Sequence, residues 1–214
     1  MKQTVTLKEK LSYFFSHPVL FIKHRHKFIV GHYYYLTTYR DGQASRSGYV
    51  RIYIVDGKYI LESFSDPTNT TDASYSNCYS TTFDFVDYNT LDLGYTVHKF
   101  IGNDLVAKKN GEAKIAIAQR DFWGIPIQMT EDFTSTTVFY KNPNNSKKTN
   151  LNKVDAGICI YSRITVNDYK RALSAAKNIG LRVSVNSPMP QRLPTMFFRQ
   201  PDYISRQPKP VYVK

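Results

Sequence analysis

Residues 49–64 read YVRIYIVDGKYILESF. Val50, Ile52 and Ile54 alternate with Tyr49, Arg51 and Tyr53, the period-two pattern of a strand with one face against a core. Asp56-Gly57 then supplies two residues that tolerate the positive φ of a tight hairpin turn. β-Branched and aromatic residues resume in KYILESF, so the stretch reads as an antiparallel pair. That reading sets the class of the chain, because the same signals recur on both sides of it.

Upstream, FIVGHYYYLTTYR (28–40) is extended in character and ends at Asp41-Gly42. Downstream, STTFDFVDY (80–88), LGYTVHKFI (93–101) and STTVFYK (135–141) read as further strands. Asn110-Gly111, between LVAKK and EAKIAIA, reads as a second hairpin turn. SDPTNTTDASYSN (65–77) and NPNNSKKTN (142–150) are rich in turn formers and read as surface loops. The aromatic supply agrees, since 17 Tyr and 13 Phe against four Met favour strands over helices.

Two stretches depart from the β pattern. Thr6 and Glu9 have capping-box spacing, and Leu7, Leu11, Phe14 and Phe15 share a helical face, which predicts a short helix over about residues 7–16 that Pro18 ends. GICIYSRITVNDYKRALSAAKNIGLRVSV (157–185) reads as strand, helix, strand. Asn167 is the expected N-cap, and Ala172, Leu173, Ala176 and Ile179 the expected buried stripe. Gly180 closes the C-terminus, and LRVSV resumes as strand.

After Val185 the composition changes. Residues 186–214 hold six of the ten prolines, which removes backbone donors and disfavours both helix and central strand. Met196, Phe197, Phe198, Tyr203, Ile204, Val211 and Tyr212 recur along this segment with basic residues between them. A free tail gains nothing by exposing such side chains, so the segment reads as an arm that docks, with those residues as its pegs.

The expected architecture is therefore mainly β with some α (α+β). An antiparallel β-sandwich or barrel-like body spans 28–186, preceded by a helix and basic connection over 1–27 and followed by an extended docking arm over 187–214.

Charge narrows the partners. The chain carries 29 Lys and Arg against 17 Asp and Glu, a formal +12, which suits anionic partners. Between Lys58 and Lys99 no basic residue occurs, while Glu62, Asp66, Asp72, Asp84, Asp87 and Asp92 all fall there. No apolar run is long enough for a bilayer span, and the start lacks a secretory pattern, so a cytoplasmic site of synthesis and no membrane partner are expected. Cys78 and Cys159 cannot build a disulfide framework.

Candidate chemistry is sparse. KHRHK (23–27) places His24 and His26 two apart, near His17 and His32, but Lys23, Arg25 and Lys27 interleave and would repel a metal ion. The run reads as a solvated basic connection, with Lys23, Arg25 and Lys27 suited to an anionic partner and no metal site. Asp104 with Glu112-Ala113-Lys114 has the spacing of an Asp…Glu-x-Lys metal-dependent nuclease core. Glycine-rich phosphate loops and a GxSxG element are absent, and no cofactor is implied. The tyrosines of HYYYLTTY and YVRIYIV would form a nucleic-acid platform if they faced solvent.

The function expected on these grounds is non-enzymatic, with no catalytic residue assigned. The chain would be a subunit of a larger, homo-oligomeric particle with heterologous neighbours, such as a virus or phage head, connector or tail, held by the docking arm and by the acidic surface of 62–92 meeting basic surface on an adjacent copy. Such proteins share its Tyr- and Thr-rich β body and proline arm in general habit. Localisation would then be the virion. A basic nucleic-acid-binding module, and after it the nuclease, are the alternatives.

Overall fold

The hairpin legible in residues 49–64 forms strands β2 (Arg46–Val55) and β3 (Lys58–Ser65). Val55 pairs with Lys58, which leaves a two-residue connection with Asp56 at φ 44°. The computed structural model describes residues 28–56, 58–69, 74–141, 148–149, 152–181 and 183, with isolated positions 11, 15 and 18. Apart from Leu11 and Phe15, the helix expected over 7–16 lies outside the described residues, as do the KHRHK run and the arm of 187–214.

The other strands are β1 (Gly31–Tyr39), β4 (Ser74–Phe85), β5 (Thr90–Ile101), β6 (Asp104–Arg120), β7 (Pro126–Lys141), β8 (Lys148–Thr149) and β9 (Val154–Ile164). Each of β1 to β7 pairs antiparallel with the next in sequence. β9 then pairs with β7 on one side and β1 on the other, so eight strands close into an up-and-down barrel with β8 as a short addition to β7. Closure decides between the two expected bodies: it is a barrel, with no free sheet edge between β1 and β7.

Two expectations about turns change. Asn110-Gly111 is no hairpin turn but lies inside β6, where Asn110 pairs with Thr96 and Thr136. The turn falls eight residues earlier, at Gly102-Asn103, between the paired Ile101 and Asp104, with Gly102 at φ 56°. The loop read over 65–77 is shorter, because Ser74–Asn77 already belong to β4.

Gly111 has a different task. A Cβ there would stand 2.3 Å from Cζ of Tyr95, its cross-strand partner. Gly48 opposite Tyr35 and Gly157 opposite Phe133 repeat the arrangement. Each inward ring thus lies flat over a glycine on the neighbouring strand, which keeps it against the wall instead of across the lumen.

Arg163 shuts one end of the barrel. Its guanidinium donates to the carbonyl oxygens of Phe28 (3.1 Å), Val30 (2.5 Å) and Pro126 (3.1 Å) and to the Tyr33 hydroxyl (3.1 Å). It ties residues 28–30 and the β6–β7 turn across that opening. Ile29, Tyr33, Ile52, Leu91, Ile115 and Met129 fill the space above it and are fully buried.

Helix α1 (Val166–Asn178) leaves β9 at the closed end and packs on the outer wall. Tyr169, Ala172, Leu173 and Ala176 face Phe64 and Ile164, with Tyr34 and Tyr49 at the margin. The N-cap is Thr165, not Asn167: the Thr165 Oγ1 accepts from the Asp168 N–H at 3.1 Å and donates to its carboxylate at 2.7 Å. Strand β9 runs directly into the helix, which starts it two residues earlier than expected. Ile179, expected in the buried stripe, is the C-cap and is exposed. Gly180 at φ 77° ends the helix as expected. Its N–H bonds to Lys177 O and that of Leu181 to Ala176 O, a Schellman pair. Leu181 and Val183 belong to no strand and pack on the helix cluster, and the rest of LRVSV lies outside the described residues.

Candidate ligand-binding site in the barrel lumen

Alternate residues of every barrel strand point inward. At the closed end they form a dry core. Toward the end that carries the β1–β2 connection they leave a cavity of ≈ 110 Å³. Its walls are apolar where Tyr35, Val50, Leu61, Leu93, Tyr95 and Phe133 meet it, and polar at Glu131, Tyr161, Ser63, Cys78 and Cys159. Tyr39, Arg46, Ser76, Lys99 and Lys109 line it toward the mouth.

Glu131 is the chemical centre. It is 5% exposed, and its carboxylate accepts a short hydrogen bond from the Tyr161 hydroxyl. Among the described residues no salt bridge reaches it. Burial pushes its carboxyl up to about 7, against a smaller opposing pull from the Tyr161 hydrogen bond. Burial, and then the neighbouring Glu131, push both the Cys78 and the Cys159 thiols up. A thiol held in its protonated form is a poor nucleophile, so neither cysteine is prepared for covalent attack.

The mouth is cationic. Lys109 forms a close ion pair with Asp155, which also accepts from Gln43 at 3.1 Å and lies 3.4 Å from Lys153. Burial works against ionising Asp155, but Lys109, Gln43 and Lys153 together hold its carboxyl below the ordinary range. Arg46 faces the cavity with its guanidinium 5.8 Å from the Tyr39 ring and has no carboxylate partner among the described residues.

Of the residues singled out in the sequence, Tyr35, Tyr39, Cys78 and Cys159 line this cavity. Lys23, Arg25 and Lys27, and the pegs Met196, Phe197, Phe198, Tyr203, Ile204, Val211 and Tyr212, lie outside the described residues. Among the described residues no cluster of three His, Cys, Asp or Glu could hold a metal ion. His32 is buried beside the Tyr169 ring, centroids 4.4 Å apart, where burial and then Arg51, Arg163 and Lys170 lower its pKa to about 3.

Asp104 and Glu112 are not brought together. They lie on one strand eight residues apart, about 26 Å at the rise of a strand. Lys114 instead sits on the outer wall between Asp92 of β5 and Asp132 of β7, a cross-strand row of opposite charges. The acidic stretch is also divided: Glu62 is buried against Arg51 at 3.0 Å, and Asp66 is buried while capping its own loop through Thr68. Tyr33, Tyr35 and Tyr39 point into the barrel, and Tyr34 packs beneath α1.

Reasoning from residue order missed the lumen, although one signal was present. In MTEDFTS, Glu131 shares strand parity with Met129, Phe133 and Ser135, so a carboxylate stands on the face that carries the core residues. The exposed outer positions of β5 to β7 include Asp92, Glu112, Lys114 and Asp132. Among the described residues no helix is long and apolar enough to cross a membrane. Comparison with known protein families, curated proteins and solved structures finds no match for this chain.

Proposed function

We propose that this barrel is a non-enzymatic binding module that holds one small ligand in its lumen. The observation that carries the reading is Glu131, a buried carboxyl without a cationic partner among the described residues, aimed into a cavity that apolar and aromatic side chains otherwise line. Small-ligand sites have this character: an apolar recess with a few convergent polar groups. The glycine-backed rings of Tyr35, Tyr95 and Phe133 support it, because they leave space in a barrel narrow enough for side chains to fill. The size limits the occupant. An engineered cavity of about 150 Å³ holds benzene, so ≈ 110 Å³ takes at most a single ring or a short chain and not a fused-ring cofactor. Phenol is a suitable probe. Titrated into the protein, it should shift the backbone amide resonances of β5 and β9, and Ser63→Phe, which fills the cavity, should abolish those shifts. Wild-type resonances that stay fixed in millimolar phenol would end the proposal.

A second reading keeps the assembly role, and one observation on the outer wall favours it. Leu36 (46% exposed) is paired with Ile160 (40%), and Ile158 (44%) lies next along β9, an aliphatic strip facing solvent. Its proposed occupant is the peg-bearing segment 196–213 of a second copy. Thirty-one residues follow Val183, enough to reach a neighbour, and its pegs are apolar like the strip. Sedimentation velocity of the full chain and of a 1–186 chain tests it. Association that is lost in the shorter chain is the expected result, and a monomeric full chain rules it out. The virion setting rests on composition alone.

A further inference from the structure

Building on the lumenal site, we infer that its ligand is a small organic anion. Its acidic head sits at Arg46 in the mouth, its short apolar body lies among Tyr35, Tyr95 and Phe133, and an oxygen at its buried end accepts a hydrogen bond from Glu131.

The charges facing the cavity assign the head. Arg46, Lys99 and Lys109 stand toward the mouth, and Asp155 answers Lys109. Among the described residues Arg46 is left with an aromatic ring and no anion. A guanidinium offers a fork of donors suited to a carboxylate. An ammonium ligand would find a partner in Glu131 but would have to pass three cations to reach it.

The register assigns the span. Arg46, Thr37, Cys159 and Glu131 occupy one cross-strand row over β2, β1, β9 and β7. Arg46 and Glu131 are thus three strand spacings apart, about 14 Å of wall at 4.8 Å each. A one-ring ligand with a polar group at either end fits between two side chains that reach inward from those positions.

The surroundings of Glu131 assign the buried end. Tyr161 and Cys159 face it from β9, Cys78 from β4 and Tyr95 from β5, all neutral groups. Tyr161 donates its hydroxyl hydrogen to one Glu131 oxygen, so a proton on the other oxygen is free to be given to a ligand. A carboxyl that titrates near neutrality is half protonated there. Binding that uses this proton weakens as pH rises, because only the protonated fraction is competent.

Isothermal titration of the full chain at pH 6 and pH 8 tests this with four probes: 4-methoxybenzoate, whose ether oxygen accepts but cannot donate, benzoate, 4-methoxybenzyl alcohol and tyramine. The expected order at pH 6 is 4-methoxybenzoate first, benzoate and the alcohol each weaker by about tenfold, the cost of one lost polar contact, and no heat from tyramine. 4-Methoxybenzoate should bind about tenfold more weakly at pH 8 than at pH 6. Arg46→Met should erase the preference for the acid over the alcohol. Glu131→Gln, whose amide still donates, should keep binding and lose the pH dependence. Tyramine binding as tightly as the acid, or an acid preference that survives Arg46→Met, overturns the inference while leaving a lumenal site. Silence from all four probes and from phenol overturns both.

Discussion

Two buried titratable side chains on opposite faces of the barrel wall pull its stability in opposite directions with pH. His32, outward on β1, has a folded pKa of about 3 against an ordinary value of 6.5, and its Nε2 has no hydrogen-bond partner among the described residues. The unfolded chain binds its proton more readily, so this group's contribution is complete above pH 6.5 and falls as pH drops below it. Glu131, inward on β7, is raised to about 7 from 4.5. The folded chain binds that proton more readily, so its contribution is complete below pH 4.5 and is lost as pH rises toward 7. Each slope approaches about 1.4 kcal/mol per pH unit where one state is protonated and the other is not. Between pH 5 and 6.5 they oppose each other. Urea midpoints of the wild type should change little across that interval. Glu131→Gln should lose stability as pH falls from 6.5 to 5, and His32→Leu should gain it. A shared slope in both variants contradicts the assignment. Arg163 is the third residue of consequence. Arg163→Met strands three carbonyl oxygens and the Tyr33 hydroxyl at the closed end, and should cost about 3 kcal/mol in urea unfolding.

At the scale of elements, pairing decides what each strand contributes to the lumen. Gly111 reads in the sequence as a turn, and Gly48 and Gly157 carry no signal of their role, since nothing local says which aromatic residue will lie opposite. Register supplies that. Gly111→Ala would drive a methyl into the Tyr95 ring and toward Thr134 O, 2.7 Å away. Overpacking of this kind costs about 1–3 kcal/mol, or roughly 2–4 °C of melting temperature per kcal/mol at this chain length. The ring should also swing into the lumen, so phenol binding should vanish along with that loss. A stable variant that still binds phenol would show that the glycine does not hold the cavity open. Helix α1 was readable almost to its ends, because Ala172, Leu173 and Ala176 recur at helical spacing and Gly180 follows them. Its N-cap was not, because Thr165 and Asn167 are both competent caps, and only the point where β9 stops selects between them.

At the scale of the molecule, closure depends on β9. Tyr39 pairs with Gly157 more than a hundred residues away, and without β9 both β1 and β7 become bare edges. A chain ending at residue 150 should therefore aggregate and show no cooperative melting by circular dichroism, whereas one ending at residue 186 should melt in a single transition. A cooperative transition in the shorter chain would mean that an open sheet suffices. The proposed assembly uses the outside of this closed body, so removing residues 187–214 should abolish association in solution and leave lumenal binding unaltered.

Sequence alone determined the class of the fold. Alternation, the Asp56-Gly57 turn and the tyrosine supply are local signals, and local conformational preference is enough to make strands, hairpins and one capped helix. The tertiary structure decided that the sheet closes, that Asn110-Gly111 runs straight through a strand, and that Glu131, Arg46, Cys78 and Cys159 share one interior. Those are consequences of which strand lies beside which, and a period of two marks a face without saying what that face will enclose.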